Sequence, residues 1–265
     1  MEIGKVECKD FTMEYNKFGH GKKDLVMLPG LSVDSITNYA EMVTDAYRLL
    51  TDDFTIYLFD RRKEVPQKYS IREMAEDTVE AIKSLGLEQF YLVGASQGGM
   101  ISLEIAINHP ELVKKLIVAS STPHVTDEQY KIIENWILIG KNKEATNLYL
   151  DFGKMIYPES LFEQLKNTLV ETSKSVTDND LEHFIVIAEG IKGFDVTDDL
   201  EKIKCPMLTI GSRDDKIFGA DGIEQMKNKL GERKDFETYL YDNYGHAAYD
   251  VAPDFKERIL KFFNK

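Results

Sequence analysis

Short apolar runs recur along the chain and alternate with segments of helical periodicity. Each run is apolar at nearly every position, which is typical of strands covered by helices on both faces of a parallel sheet. The runs cover 25–28, 54–59, 90–93, 115–119 and 207–210, followed by a last strand at 236–241. Alternating apolar positions in residues 3–18 indicate a hairpin before them. The pattern therefore predicts an α/β fold built from βαβ units.

Amphipathic helices are predicted between these strands, and one stretch departs from the alternation. The helix that begins after Ser70 has a capping box with Glu73 and ends at Gly86. Between residues 124 and 195, four helical patterns follow one another without a convincing strand. A helical block inserted between strands of a parallel sheet predicts a lid over the carboxyl ends of those strands, where such sheets bind ligands.

The segment around Ser96 carries the strongest chemical signal. It reads as a buried strand, then Gly94-x-Ser96-x-Gly98, then a helix. A nucleophilic serine on a strained strand-to-helix turn needs flanking positions that are almost free of side chain. The order of the elements therefore favours a nucleophile elbow over a glycine-rich turn without catalysis.

A nucleophilic serine needs a base, and the chain has five histidines. His246 lies in a turn between the last strand and the last helix, and Gly245 gives the backbone the freedom to present it. His124 follows the carboxyl end of a strand and is a candidate for the lining of a pocket. The position and the chain order favour His246 as the base.

The acid that orients the base is predicted in the segment after the strand 207–210. That segment offers two adjacent carboxylates, Asp214 and Asp215, and we favour Asp214. The three candidates follow one another along the chain in the order Ser96, Asp214, His246.

Four motifs in this order resemble those of α/β-hydrolase fold serine hydrolases, in particular the cap-bearing subgroup with enol-lactonases, carboxylesterases, C–C hydrolases and proline iminopeptidase-like enzymes. The motifs are L-P-G-L at 28–31, G-A-S-Q-G-G at 94–99, G-S-R-D at 211–214 and G-H at 245–246. The resemblance covers nearly the whole chain. It implies a mostly parallel eight-stranded sheet flanked by helices, with residues 1–123 and 196–265 as the core and 124–195 as an all-α cap.

The resemblance also implies an oxyanion hole made by the backbone N–H groups of Leu31 and Gln97. Relatives usually have His-Gly in the first of these loops, whereas this chain has Pro29 before Gly30. Because the donors are backbone amides, the hole does not depend on that histidine. A second departure is the charged segment 60–63, where relatives often carry Arg-Gly and where we expect a solvated loop.

Candidates for the substrate pocket are fewer and less specific. Trp136 and Phe184 of the predicted cap, together with His124, are our candidates for its lining. Aromatic residues at helical spacing are also typical of packing between a cap and its core, so the cap sequence does not define the substrate.

Composition and charge restrict the classes of molecule that the protein is expected to bind. The chain has 33 basic and 46 acidic residues and a net charge of −13, without the basic stripe that nucleic-acid binding normally shows. The first residues lack the apolar region of a signal peptide, and no stretch reaches the roughly 18 apolar residues of a membrane span. Cys8 and Cys205 lack the spacing of a disulfide framework or a metal site. We therefore expect a cytoplasmic protein with a small-molecule substrate; the oligomeric state stays open.

The resulting hypothesis is a serine hydrolase that cleaves small or medium carboxylic esters or lactones through an acyl-enzyme, without a metal or organic cofactor. Hydrolysis of a C–C bond beside a ketone is one alternative and peptide hydrolysis another, although the elbow here lacks the tryptophan of proline iminopeptidases. A hydrolase-like sensor that binds a small molecule and signals to a protein partner is a further alternative, since such receptors can keep the triad.

Overall fold

The computed structural model describes all 265 residues. The strands are β1 Glu2–Glu7, β2 Thr12–Gly19, β3 Lys23–Leu28, β4 Phe54–Arg62, β5 Phe90–Ala95, β6 Val113–Ala119, β7 Met207–Ser212 and β8 Phe236–Tyr241. The α-helices are α1 Ala40–Ala46, α2 Ile71–Ser84, α3 Gln97–Asn108, α4 Asp127–Lys141, α5 Ala145–Ile156, α6 Glu159–Ser173, α7 Asp178–Glu189, α8 Asp221–Leu230, α9 Ala248–Val251 and α10 Phe255–Phe263.

All eight strands belong to one sheet in the order β1-β2-β4-β3-β5-β6-β7-β8. The pairs β1–β2 and β2–β4 are antiparallel, and every other pair is parallel. The predicted mostly parallel eight-stranded sheet is confirmed, as is the hairpin at its start. The carboxyl ends of the parallel strands meet at one edge, which gathers the loops after β3, β5, β7 and β8.

Helices cover both faces of the sheet. Apolar side chains of α2, α3 and α8 pack on one face, and those of α1, α9 and α10 pack on the other. The helix α2 begins at the predicted capping box, in which Ser70 and Glu73 exchange hydrogen bonds, and Gly86 follows it with a φ of +76°. None of the helices combines the length and the apolar character needed to cross a bilayer.

The four helices α4 to α7 are inserted between β6 and β7. At the base of this helical insertion, residues 124–195, the chain enters and leaves side by side. The amide of Val125 donates to Phe194 O at 2.9 Å and that of Val196 to Pro123 O at 2.8 Å. The four predicted helices are therefore present, and their role as a cap stays a prediction.

Candidate active site

Ser96 lies on the sharp turn between β5 and α3. Its φ of 52° and ψ of −121° are strained for a residue with a side chain. A Cβ at Gly94 would come within 2.2 Å of Gly98 O, and a Cβ at Gly98 within 2.1 Å of Leu28 O. Both elbow glycines are thus required by close backbone approach, as the sequence pattern predicted.

Ser96 is connected to a buried histidine and a buried carboxylate. Its Oγ lies 2.9 Å from His246 Nε2, and His246 Nδ1 lies 2.8 Å from Asp215 Oδ2. The side chains of His246 and Asp215 are 2% and 1% exposed. Because the carboxylate can only accept, Nδ1–H donates to Asp215 and Nε2 accepts from the Ser96 hydroxyl. This is the tautomer that a general base needs.

The carboxylate that contacts His246 is Asp215, so the prediction of Asp214 for this position is wrong. Asp215 Oδ1 accepts the amides of Ile217 at 2.8 Å and Phe218 at 3.2 Å, which leaves Oδ2 for the imidazole. This turn, in which an aspartate accepts amides two and three residues ahead, fixes the carboxylate towards the interior.

Asp214 supports the histidine loop instead. Its carboxylate accepts the Ser212 hydroxyl at 2.5 Å and the Gly245 amide at 3.2 Å, and Gly245 precedes His246 with a φ of +60°. Burial acts to raise the pKa of Asp214, but hydrogen bonds from the Ser212 hydroxyl and from backbone amides outweigh it and lower the pKa. The two adjacent aspartates therefore have different tasks.

The predicted oxyanion donors border Ser96. A Cβ on Gly30 would lie 3.1 Å from Ser96 Cβ, so the loop after β3 passes directly beside the serine. Neither the Leu31 amide nor the Gln97 amide donates to a backbone carbonyl. Both are therefore free of backbone partners next to the serine, although their binding of an oxyanion stays a prediction.

Arg61 is buried at this site, and the expectation of a solvated loop at 60–63 is wrong for it. The residue is 5% exposed. Its Nη2 donates to Pro29 O at 2.8 Å and to Gln97 Oε1 at 3.1 Å, and its Nε donates to the same Oε1 at 3.3 Å. Burial lowers the pKa of the guanidinium. The two-residue alternation of side chains in β4 could have revealed the burial of Arg61, because Arg61 continues the face formed by Tyr57 and Phe59.

A small cavity lies beside Ser96 and His246. Its volume of about 10 Å³ holds about one water molecule. Outside Ser96 and His246 the lining is mostly apolar and comes from the loop after β3, the helical insertion and the loops after β7 and β8. It comprises Gly30, Leu31, Ile133, Trp136, Phe152, Ile156, Ile191, Ile217, Phe218 and Tyr249.

Of the three predicted pocket residues, only Trp136 lines this cavity. Its indole Nε1 donates to Asp151 at 2.9 Å, which fixes the ring. Phe184 is fully buried among the helices of the insertion, and His124 pairs with Asp195 at 3.2 Å at the base of the insertion. Neither belongs to the lining, and no group of three or more His, Cys, Asp or Glu side chains is arranged to hold a metal ion.

Comparison with known proteins agrees with the fold described above. A family model described as the alpha/beta hydrolase fold matches residues 25–253. The chain belongs to the alpha/beta hydrolase fold family. This hydrolase is 26% identical over 226 residues to a Rhizobium rhizogenes protein named "Putative carbamate hydrolase RutD", covering 80% of this chain and 84% of the relative. A protein of the same name from Serratia proteamaculans is 27% identical over 229 residues, covering 80% and 81%.

Solved structures show the same fold. MGS-M2, an alpha/beta hydrolase enzyme from a Medee basin deep-sea metagenome library, aligns with a TM-score of 0.87 at 21% identity and covers 99% of this chain and 98% of that one. The enol-lactonase from Burkholderia xenovorans aligns with a TM-score of 0.84 at 15% identity, covering 99% and 100%. At these identities the likeness concerns the fold, and the residues at the site must carry the argument about substrate.

Proposed function

We propose that this hydrolase cleaves small carboxylic esters or lactones with Ser96 as nucleophile, His246 as general base and Asp215 as the acid that orients it. The continuous relay from Ser96 Oγ through His246 to Asp215, with contacts of 2.9 and 2.8 Å, carries this proposal. A serine on a strained elbow, joined to a buried imidazole whose tautomer is fixed, is suited to nucleophilic attack on a carbonyl.

The reaction then runs in two halves. His246 Nε2 takes the Ser96 proton as Oγ attacks the carbonyl carbon, and Asp215 stabilises the imidazolium that forms. The imidazolium passes this proton to the departing alkoxide as the C–O bond breaks, which leaves an acyl group on Ser96. Water, giving a proton to His246, attacks the acyl carbon, and return of that proton to Ser96 Oγ releases the acid.

The negative charge on the carbonyl oxygen needs donors in both halves. The amides of Leu31 and Gln97 border Ser96 without backbone partners, and we assign the oxyanion to them. Losing one such donor typically lowers kcat by about 10²–10³-fold.

The size of the cavity bears on the substrate. Because about 10 Å³ accommodates only about one water molecule, any acyl group requires the lining to move, and an acetyl group requires a smaller movement than a long acyl chain. The helices α4 and α5 contribute much of the apolar lining, so a longer chain needs the insertion to move. We therefore expect turnover to fall as the acyl chain lengthens.

Carbamate hydrolysis is a second candidate, since a carbamoyl group is isosteric with acetyl. Relatives at 26–27% identity carry the name of a carbamate hydrolase. Outside Ser96 and His246, the polar side chains in the lining are Trp136, which already donates to Asp151, and Tyr249. The Tyr249 phenol is the group that could bind a carbamoyl nitrogen.

Labelling with a fluorophosphonate probe, followed by peptide mapping, tests the nucleophile. We expect one modified residue, Ser96, and loss of both labelling and p-nitrophenyl acetate turnover in Ser96→Ala. Ser102→Ala is the matched control, because its hydroxyl donates only to Gly98 O within the same helix. Labelling at another residue, or full turnover by Ser96→Ala, would refute the proposal.

Substrate panels then separate the remaining possibilities. Acetyl, butyryl and octanoyl esters test acyl length, lactones test cyclic esters, and ammonia release from alkyl carbamates tests the second candidate. Turnover of β-diketones or of peptides without ester turnover would favour C–C hydrolysis or a peptidase. A labelled Ser96 with a single turnover and ligand-dependent capture of a protein would favour the sensor.

Free Cys8 and Cys205 accord with the predicted cytoplasmic location, which stays part of the proposal. Fractionation of the native host followed by immunoblotting would test it.

A further inference from the structure

Arg61 is a buried cation without a carboxylate on its guanidinium. The neighbouring Asp60 is occupied elsewhere, since its two oxygens accept the Ser35 hydroxyl at 2.5 Å and the amides of Ile36 and Arg61 at 3.2 and 2.7 Å. The guanidinium instead donates to the neutral oxygens of Pro29 and Gln97. Asp60 opposes the effect of burial on the pKa of Arg61 only through its charge, without a hydrogen bond to the guanidinium. A buried charge whose hydrogen bonds go only to neutral acceptors is costly, so its retention at this position calls for an explanation.

The two acceptors belong to the two segments that carry the assigned oxyanion donors. Pro29 O lies two residues before the Leu31 amide, and Gln97 is itself the second donor. Proline has no N–H, so the carbonyl is the group by which the backbone at this position can be held. One guanidinium therefore fixes both sides of the oxyanion hole at contacts of 2.8 to 3.3 Å.

The Gln97 side chain is oriented by its other end. Its Nε2 donates to Ile187 O of α7 at 2.7 Å, which turns Oε1 towards Arg61. The whole residue is only 1% exposed. The Gln97 carboxamide thus links Arg61 of β4 to Ile187 of α7. It connects β4, the turn that carries Ser96 and the helical insertion.

We propose that Arg61 is a positioning residue that holds the Leu31 and Gln97 amides in place and adds a positive charge beside the oxyanion that forms in the reaction. The proposal rests on the proposed function. In the free enzyme the guanidinium has only neutral acceptors, whereas a negative charge appears nearby in the tetrahedral intermediate. Such an interaction strengthens between ground state and transition state, and so raises kcat rather than lowering KM.

Substitution of Arg61 tests this role. We expect Arg61→Gln to lower kcat for p-nitrophenyl acetate by about 10- to 100-fold, somewhat less than loss of a donor itself, with KM within about threefold. Arg61→Lys keeps the charge and loses the planar fork, so its kcat should fall between those of wild type and Arg61→Gln. Arg62→Gln is the matched control, because it removes the neighbouring arginine, whose partner is Asp77, and should change kcat less than threefold.

A transition-state analogue gives a readout that simple loss of packing would not produce. A trifluoromethyl ketone forms a tetrahedral oxyanion on the serine, so its inhibition constant should rise across the Arg61 series in proportion to the fall in kcat/KM. If Arg61→Gln does not fold, Arg61→Lys provides the second variant, because it leaves Gln97 and its contact with Ile187 O in place. Its inhibition constant for the ketone should rise by the same factor by which its kcat/KM falls.

The outcomes separate this proposal from the previous one. Wild type that is labelled at Ser96 and turns over ester, together with folded Arg61→Gln of unchanged kcat, refutes the role of Arg61 alone. A rise in KM with unchanged kcat, or an equal fall of kcat in Arg62→Gln, refutes it as well. Wild type without labelling at Ser96 refutes the proposed function first.

Discussion

Asp215→Asn should remove most of the activity by reversing the imidazole tautomer. In the native site, Asp215 Oδ1 accepts two backbone amides while Oδ2 accepts His246 Nδ1–H. If the asparagine oxygen keeps the two amides, its NH₂ group faces Nδ1 and forces the imidazole proton onto Nε2. The base can then no longer accept the Ser96 proton. If the carboxamide flips, its NH₂ group meets the two amide donors instead, so neither orientation restores the native relay.

The expected loss in kcat is about 10⁴-fold, the size found when the acid of a Ser-His-Asp triad becomes an amide. Since each tenfold change corresponds to about 1.36 kcal/mol, this is about 5.4 kcal/mol of transition-state stabilisation. Asp214→Asn should cost less than about tenfold, because its carboxylate contacts Ser212 and the Gly245 amide and does not reach the imidazole.

Steady-state hydrolysis of p-nitrophenyl acetate by both variants is the assay, with thermal unfolding to show that each is folded. The comparison is internal, since the two aspartates are adjacent and the substitutions are the same. A larger loss in Asp214→Asn than in Asp215→Asn would refute the assignment of the acid and restore the carboxylate that the sequence favoured.

Three further outcomes follow from the contacts. Gly98→Ala places a Cβ 2.1 Å from Leu28 O and should lower the free energy of unfolding in urea by about 3 kcal/mol, whereas Gly193→Ala, with φ +70° and open space around it, should lower it by about 1 kcal/mol. Trp136→Ala enlarges the cavity, so octanoyl ester turnover should rise relative to acetyl although stability falls by about 3–5 kcal/mol, and an unchanged acyl preference would contradict this. The lowered pKa of Asp214 stabilises the folded state fully at pH values above the pKa of the unfolded chain, which is about 3.9. This stability is lost as the pH falls through the pKa of the folded state. Asp214→Asn should therefore flatten the acid limb of a plot of unfolding free energy against pH, and an unaltered slope below about pH 4 would count against it.

The sheet and the elbow were predictable because their signals are local. An apolar run such as 90–93 indicates a buried strand by itself, and the two glycines around Ser96 are required by backbone approach within a few residues. The capping box at Ser70 and Glu73 is likewise completed within four positions. In each case the residues that define the feature are neighbours in the chain.

The acid was ambiguous because two candidates are adjacent and both belong to the same loop. The choice depends on which way each side chain points, and this is decided by the amides of Ile217 and Phe218, which hold Asp215 inward. The motif spacing that favoured Asp214 describes the place where the strand ends. It does not describe the turn that follows.

The cavity beside Ser96 depends on packing between the helical insertion and the core. Trp136 shares a helix face with Ile133 and both line the cavity, whereas Phe184 of α7 packs against Phe152 with ring centroids 6.5 Å apart. Both aromatic residues fit an amphipathic pattern, and the pattern does not say which neighbour covers which face. Pocket residues therefore needed the tertiary structure.

Gln97 shows most clearly how the two kinds of information combine. The sequence motif named it for its backbone amide, as the residue after the nucleophile. Its side chain accepts from Arg61, 36 positions away, and donates to Ile187, 90 positions away, and no local pattern links these residues. Because one residue provides both the assigned oxyanion amide and the link to α7, displacement of the insertion must either break that link or disturb the hole. We therefore infer that, in the proposed mechanism, substrate admission and oxyanion binding are coupled through the Gln97 side chain.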